Sequence, residues 1–309
     1  MDNNQIDHIL VIGFGGPTTP EEIRPFLDYV TRGLRIPEAR LREVLRHYEA
    51  VGGRSPYNEY TLRLFNKLEQ RLRGRGIRQP MFLGMRNWHP FLNETMCTIR
   101  AQQHKHGLGV ILAPHRCDAS FEKYLRNVEE AKAATGAESI KYTYLKPWHD
   151  HPLFIEAQAD EVRRTMTSLG AVGQPMPTLV FTAHSVPAEM ARCSRYAEEI
   201  ETSSAAVAES LGQPRWRIAY QSRSGHPSQP WLQPDVETVI RELKARGERG
   251  ALLVPIGFLC DNVEVLFDLD IEARKDAQRL GFGYARASTV MDHPKFVEMF
   301  SQLISAALD

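Results

Sequence analysis

Short apolar runs alternate along the chain with longer stretches in which apolar residues recur every three or four positions. His8–Ile12 (HILVI) reads as a strand that runs into the turn Gly13-Phe14-Gly15-Gly16-Pro17. Glu21–Thr31 then reads as a helix, with Ile23, Phe26, Leu27 and Val30 at the i, i+3, i+4 and i+7 positions of one face. Leu41–Ala50 continues as a helix and stops at Gly52-Gly53. Tyr60–Arg73 carries Leu64, Leu68 and Leu72 on one face. Met81–Met85 is a predicted strand, Leu92–Gln103 a helix, Leu108–Ala113 (LGVILA) a buried strand and Glu122–Ala134 a helix.

The second half repeats the scheme. Strands are predicted at Ile140–Leu145, Leu179–Thr182, Trp216–Tyr220, Gly250–Ile256 and Tyr284–Ser288. Helices are predicted at Phe154–Ser168, Ala197–Leu211, Val236–Ala245, Val263–Leu280 and Pro294–Ala307. Strands and helices of these lengths in alternation imply an α/β fold of two doubly wound domains, each a four-stranded parallel sheet flanked by helices. The pattern breaks near residues 146–153, at Pro147, His149, Asp150, His151 and Pro152. We therefore expect domains at 1–150 and 151–309, with the last helix a candidate to pack back on the first domain. Ligands of such folds bind beyond the carboxyl ends of the strands, so the strand-end loops are the places to look for chemistry.

Composition narrows the classes. Of 309 residues 42% are hydrophobic and 25% charged, an ordinary globular balance. Lys+Arg and Asp+Glu both number 38, so no net charge favours nucleic acid or an anionic surface as partner. The start, MDNNQIDH, lacks the basic and apolar regions of a signal peptide. Apolar runs such as Ala251–Ile256 are far too short to span a bilayer. A cytoplasmic protein without a transmembrane segment is expected, with a peripheral membrane contact left open. Cys97, Cys117, Cys193 and Cys260 are scattered and form no CxxC pair, so no iron–sulfur cluster or structural zinc site held by clustered cysteines is expected.

Four strand-end loops stand out. GFGGP at 13–17 is either a weak phosphate cradle or a tight turn that lets backbone approach closely; it is neither GxGxxG nor a Walker A motif. APHRCD at 113–118 offers His115, as ligand or as core histidine. FTAHSVP at 181–187 places His184 just past a predicted strand, either as a loop histidine in solvent or capping a helix, or as a metal ligand or proton acceptor. VPIGFLCDNVEVLFDLDIEA at 254–273 ends a strand at Gly257, offers Asp261-Asn262 as a helix cap, and spaces Glu264, Asp268 and Glu272 four apart on one helix face. That stripe is either solvated or a track for a cation. His184 and Glu264 end different strands of the same half, and in a parallel sheet such ends face one crevice. An imidazole and a carboxylate there make an open site for a borderline divalent metal, or a proton-transfer pair. The carboxylate would raise the imidazole pKa.

These motifs, in this order, resemble the ferrochelatase family over nearly the full length: GFGGP, VGGRSPYNEYT at 51–61, LAPH at 112–115, FTAHSVP, YQSRSGHPSQPWLQPDV at 220–236 and VPIGFLCDNVEVLFDLDIEA. The resemblance implies two Rossmann-like, chelatase-type domains with a porphyrin cleft between loops. It implies a lyase that inserts Fe²⁺ into a porphyrin at the end of haem synthesis, with iron as substrate and no cofactor. Tyr48-Glu49-Ala50 leads straight into Val51-Gly52-Gly53, a layout similar to the short soluble branch of coproporphyrin III ferrochelatases. By resemblance His184 and Glu264 are catalytic and metal-binding, with Asp268 and Glu272 as the acidic ridge. Phe14, Thr31, Arg32, His47, Tyr48, Ser55, Tyr124 and Trp231 are substrate contacts by the same warrant, with Arg35 in the basic segment near the rim. A haem-pathway protein is implied as a transient partner. Three departures bear on this: Phe14 stands where the family often has tyrosine, Asn262 where it has a histidine, and Thr31 where arginine is common. Rival readings are a protoporphyrin IX ferrochelatase, a sirohydrochlorin or cobalt chelatase, and a non-catalytic tetrapyrrole-binding protein.

Overall fold

A strand buried on both faces needs an unbroken apolar run, and β1 (His8–Gly13) is buried at every position. The computed structural model describes residues 5–33, 36–170, 176–224 and 228–309. After β1 follow α1 (Pro20–Val30), α2 (Glu38–Ala50), α3 (Tyr57–Gly74), β2 (Met81–Met85), α4 (Leu92–Ala101), β3 (His106–Ile111), α5 (Phe121–Thr135) and β4 (Lys141–Tyr144). The chain continues through α6 (Pro152–Ser168), β5 (Thr178–His184), α7 (Ala188–Arg192), α8 (Tyr196–Ser210), β6 (Trp216–Gln221), α9 (Val236–Ala245) and β7 (Gly250–Val254). A π-helix (Val265–Ala273), α10 (Arg274–Arg279), β8 (Gly283–Arg286) and α11 (Pro294–Leu308) complete it.

Two four-stranded sheets form, in the orders β2-β1-β3-β4 and β6-β5-β7-β8. Every pairing is parallel. The expected α/β architecture of two helix-flanked parallel sheets is what the chain adopts. Two structural units contain these sheets. One comprises residues up to Ala113, Ala119–Pro147 and Phe296–Asp309; the other comprises Pro114–Asp118 and Trp148–Lys295. In the first unit Leu10, Ile12 and Ile111 of the sheet pack with Leu92, Met96 and Ile99 of α4 and Val128 of α5. Within that unit Glu298 of α11 pairs with Arg71 at 2.6 Å and with Arg75, both at the end of α3. In the second unit Val180, Leu253, Val239, Leu243 and Leu269 share one cluster. Among the described residues no helix is long and apolar enough to cross a membrane.

Three elements differ from expectation. β5 runs on to His184, because its ladder with β6 continues to the pair His184–Gln221. The short helix α7 was invisible to periodicity because it has barely more than one turn. The helix predicted at 263–280 is π-wound over Val265–Ala273 and α-wound only afterwards. π-helices of this length are rare and cluster at functional sites.

Candidate active site

In the second unit the chain leaves β5 on one side toward β6 and returns on the other to β7. That reversal makes a switch-point crevice beyond the carboxyl ends of β5 and β7. His184 is the last residue of β5. The segment after β7 is laid directly over this strand end. Gly257 N donates to the Thr182 carbonyl at 3.0 Å, and a Cβ on Gly257 would sit 2.6 Å from Ala183 Cβ. Only glycine allows that approach. The segment then delivers Glu264 to His184, with Oε1 3.4 Å from Nε2.

The imidazole is oriented from behind. Its Nδ1–H donates to the Ser185 carbonyl, which leaves Nε2 to face Glu264. The Tyr196 hydroxyl donates to the His184 carbonyl at 2.9 Å and fixes the backbone. Burial pulls the His184 pKa down, but the Glu264 carboxylate, the Ser185 carbonyl and Asp268 outweigh it and hold the group at about 9. The free protein therefore carries an imidazolium here at neutral pH.

Asn262 caps the following helix: its Oδ1 accepts from Val265 N at 2.9 Å. Asp261 has a different task. It accepts from Arg286 at 3.1 Å and from Thr289 at 3.2 Å, while Arg286 also forks onto Asp270 at 2.8 and 2.6 Å. One largely buried guanidinium thus ties both the entry and the middle of the π-helix to β8. Sequence reading missed Arg286, since nothing local marks it.

The acidic stripe is not uniformly solvated. Asp268 is drawn toward the end of β6, where the Ser222 hydroxyl donates to it and Gln221 Nε2 approaches at 3.4 Å. The same Gln221 amide donates to the Glu264 carbonyl oxygen at 3.2 Å. Ser222 holds φ +60°, an uncommon backbone for a non-glycine residue and one concentrated at functional sites. Burial, opposed by Ser222 and reinforced by Glu264 and Glu272, raises Asp268 to about 7. Glu272 is exposed. Gln221 and Ser222 lie in the motif after β6, so the signal was present without a role attached.

A raised carboxylate costs stability once it ionises. Asp268 contributes no penalty below its unfolded pKa of 3.8, and the penalty is complete above about 7. Asp268→Asn is therefore expected to stabilise the protein at pH 8 by on the order of 2 kcal/mol, and to change little at pH 3.5. Denaturant melts at both pH values check this; equal effects at both would contradict it.

In the first unit the GFGGP loop proves to be a tight turn. Tyr57 Oη accepts from Phe14 N at 2.7 Å, and Asn58 Oδ1 from Gly16 N at 2.9 Å, so two of its donors are spent on side chains rather than left for phosphate. Gly15 takes φ +85°, and a Cβ there would lie 2.9 Å from Trp88 N. Ser55 is buried against Gly16 and Pro17. The motif at 51–61 therefore serves in part to clamp this loop.

The remaining candidates are scattered in kind. Phe14 is 37% exposed, with its ring 6.3 Å from that of Tyr57. Arg86, which sequence reading passed over, stacks between Phe14 at 5.6 Å and Tyr124 at 4.6 Å and is held by Asn127 at 2.8 Å. Tyr124 and Tyr48 are buried, the latter edge-on to Phe26. The Thr31 hydroxyl donates to Leu27 O, and Arg32 folds onto the Tyr29 ring at 3.9 Å. His47 is half-buried, and burial lowers its pKa. Arg35 lies outside the described residues. In the second unit Trp231 pairs with Pro187 beside the His184 loop, and its buried indole N–H meets no acceptor among the described residues. His115 is a core histidine: it is 2% exposed, its Nε2 is 3.1 Å from Ser203 Oγ, and burial with the neighbouring His149 presses its pKa to about 3.

The geometry can be set beside known proteins. A ferrochelatase of Rhodopirellula baltica is 38% identical over 304 residues, covering 98% of this chain and 86% of that protein. A coproporphyrin III ferrochelatase of Mycolicibacterium vanbaalenii is 36% identical over 302 residues, covering 97% and 89%. Among solved structures, SirB from Bacillus subtilis with Fe3+ aligns with a TM-score of 0.60 at 13% identity, over 98% of this chain and 96% of that one, a likeness of fold. The ferrochelatase family itself matches residues 7–308, and with relatives this similar along the whole match, the chain belongs to the ferrochelatase family.

Proposed function

We propose that the protein inserts ferrous iron into coproporphyrin III as a step of haem biosynthesis, through His184 and Glu264. The observation that carries this reading is the 3.4 Å imidazole–carboxylate pair at the switch point, backed by a second carboxylate that titrates at about 7. Insertion must remove two pyrrole protons, and a flat ring hides its lone pairs, so binding energy has to bend the macrocycle. Trp231, beside the His184 loop, is an aromatic surface available for that grip. His184 enters as an imidazolium, so it must shed its Nε2 proton before it can ligate iron or accept a pyrrole proton. Asp268 is the group tuned to take up and release protons near neutrality. Iron stays ferrous throughout, so the step calls for no redox cofactor.

The preference for coproporphyrin III rests on relatives so named, in Mycolicibacterium vanbaalenii and Nocardia farcinica among others. It also rests on the direct passage from Tyr48 into Val51-Gly52-Gly53. The fold alone would equally allow a sirohydrochlorin chelatase. The sequence relatives and the His–Glu pair favour iron and porphyrin.

Anaerobic absorption assays with Fe²⁺ test the proposal. Coproporphyrin III carries two propionates where protoporphyrin IX carries vinyl groups. We expect kcat/KM for coproporphyrin III to exceed that for protoporphyrin IX by roughly tenfold or more. Equal or reversed values would overturn the preference, and turnover of sirohydrochlorin alone would overturn the function.

A further inference from the structure

At the amino ends of β1 and β3, the edge of the first sheet opposite the GFGGP loop, two histidines and an aspartate converge. Asp7 Oδ1 lies 2.6 Å from His8 Nδ1 and 3.3 Å from His104 Nδ1. These three atoms all fall within 4.8 Å of one another. Two imidazoles and one carboxylate are the donor set of a borderline divalent cation, and a tetrahedral zinc-class ion about 2.0–2.1 Å from each ligand needs them roughly 3.3 Å apart. We propose that Asp7, His8 and His104 form a structural site for a zinc-class divalent cation, which clasps the entry of β1 to the connection between α4 and β3.

Several features mark the site as built. Two of the three ligands, His8 and Asp7, are held by hydrogen-bond partners beyond the would-be ion. His8 Nε2 lies 3.0 Å from Tyr142 Oη, and that hydroxyl in turn donates toward Met96 Sδ at 3.7 Å. When Nδ1 binds metal, the proton moves to Nε2 and is donated to Tyr142, the usual outer support of a ligating histidine. Asp7 Oδ2 is fixed by the amides of Lys105 at 2.6 Å and His106 at 3.3 Å, which leaves Oδ1 for the cation. The Phe82 ring packs edge-on against both imidazoles, at 5.8 and 5.5 Å.

The backbone also makes room. Gly107 faces His8 across the ladder, and a Cβ there would lie 2.4 Å from His8 Nε2 and from Tyr142 Cε1. Gln103 adopts φ +63°, an uncommon conformation for a non-glycine residue, immediately before His104. His8 is fully buried, whereas Asp7 and His104 keep 35% and 17% of their side-chain surface, so a fourth position opens to water.

The test uses the full chain with the catalytic pair removed, His184→Ala with Glu264→Gln, so that this site is read alone. Calorimetry with Zn²⁺ is expected to show one bound equivalent, and Co²⁺ to show the visible bands of a tetrahedral ion. Adding His104→Ala, or separately Asp7→Asn, should weaken binding by roughly 10–100-fold or abolish it, with the fold checked by circular dichroism. Zn²⁺ should raise the thermal midpoint of the parent by several degrees and leave the His104→Ala variant unmoved. No binding by the parent, or equal binding by both variants, would overturn the site. Binding without a shift in midpoint would overturn its structural role.

Discussion

Replacing His184 with alanine is expected to lower iron insertion by about a thousandfold or more while coproporphyrin III still binds. The imidazole is the one nitrogen donor that β5 brings to the switch point, and Nε2 is aimed at Glu264 by its Nδ1 bond to Ser185. On the proposed reading His184 ligates iron, transfers protons or does both, so its loss removes the central group of the site. On the same reading other surfaces hold the ring, so porphyrin fluorescence quenching should persist. The stability effect has a sign of its own. The folded pKa of about 9 exceeds the unfolded 6.5, so the imidazolium stabilises fully below pH 6.5 and loses that contribution as pH rises through 9. The variant should therefore be less stable than the parent at pH 6 and close to it above pH 9. Turnover at the parent rate would remove the central assignment.

Glu264→Gln carries the second large effect, and it separates metal binding from proton transfer. The carboxylate is what holds His184 near 9 against the pull of burial. With a neutral amide in its place, the imidazole should titrate well below 9, visible by nuclear magnetic resonance of the ring carbons. The parent must expel the His184 proton to bind a cation at pH 7, so Zn²⁺ binding should release about one proton and tighten about tenfold from pH 7 to pH 8. The variant should release almost none there and show a flat profile, with affinity lowered by the missing carboxylate. Calorimetry in two buffers of different ionisation enthalpy counts the protons. Identical counts and identical affinity in both proteins would mean that Glu264 neither ligates the metal nor sets the charge of His184.

Much of the frame was legible from residue order. The strands show because parallel strands covered on both faces must be apolar throughout, as in HILVI and LGVIL. The pairing of His184 with Glu264 was legible because strand ends in such sheets open on one crevice, and the 3.4 Å separation agrees. The π-winding was not. Glu264, Asp268 and Glu272 repeat every four residues, and so do buried Val265, Leu269 and Ala273. At that spacing an α-helix drifts by about +40° per step and a π-helix, with roughly 4.4 residues per turn, by about −33°, so both keep the residues on one face. The spacing satisfies either winding, and only packing chooses.

The GFGGP loop makes the same point. Its glycines announced a close approach but left open what approaches. The answer, Tyr57 and Asn58 taking its amides, comes from a helix more than forty residues away in sequence. By itself, then, the sequence determined the alternation of strands and helices and the identity of the imidazole and carboxylate at one strand-end crevice. Only the tertiary structure decided that His184 is charged, that Asp268 is half-protonated near neutrality, and that Arg286, Gln221 and Ser222 hold the π-helix in place. Local periodicity reports which face of an element is buried, whereas charge state and positioning depend on distances between residues that only the folded chain brings together.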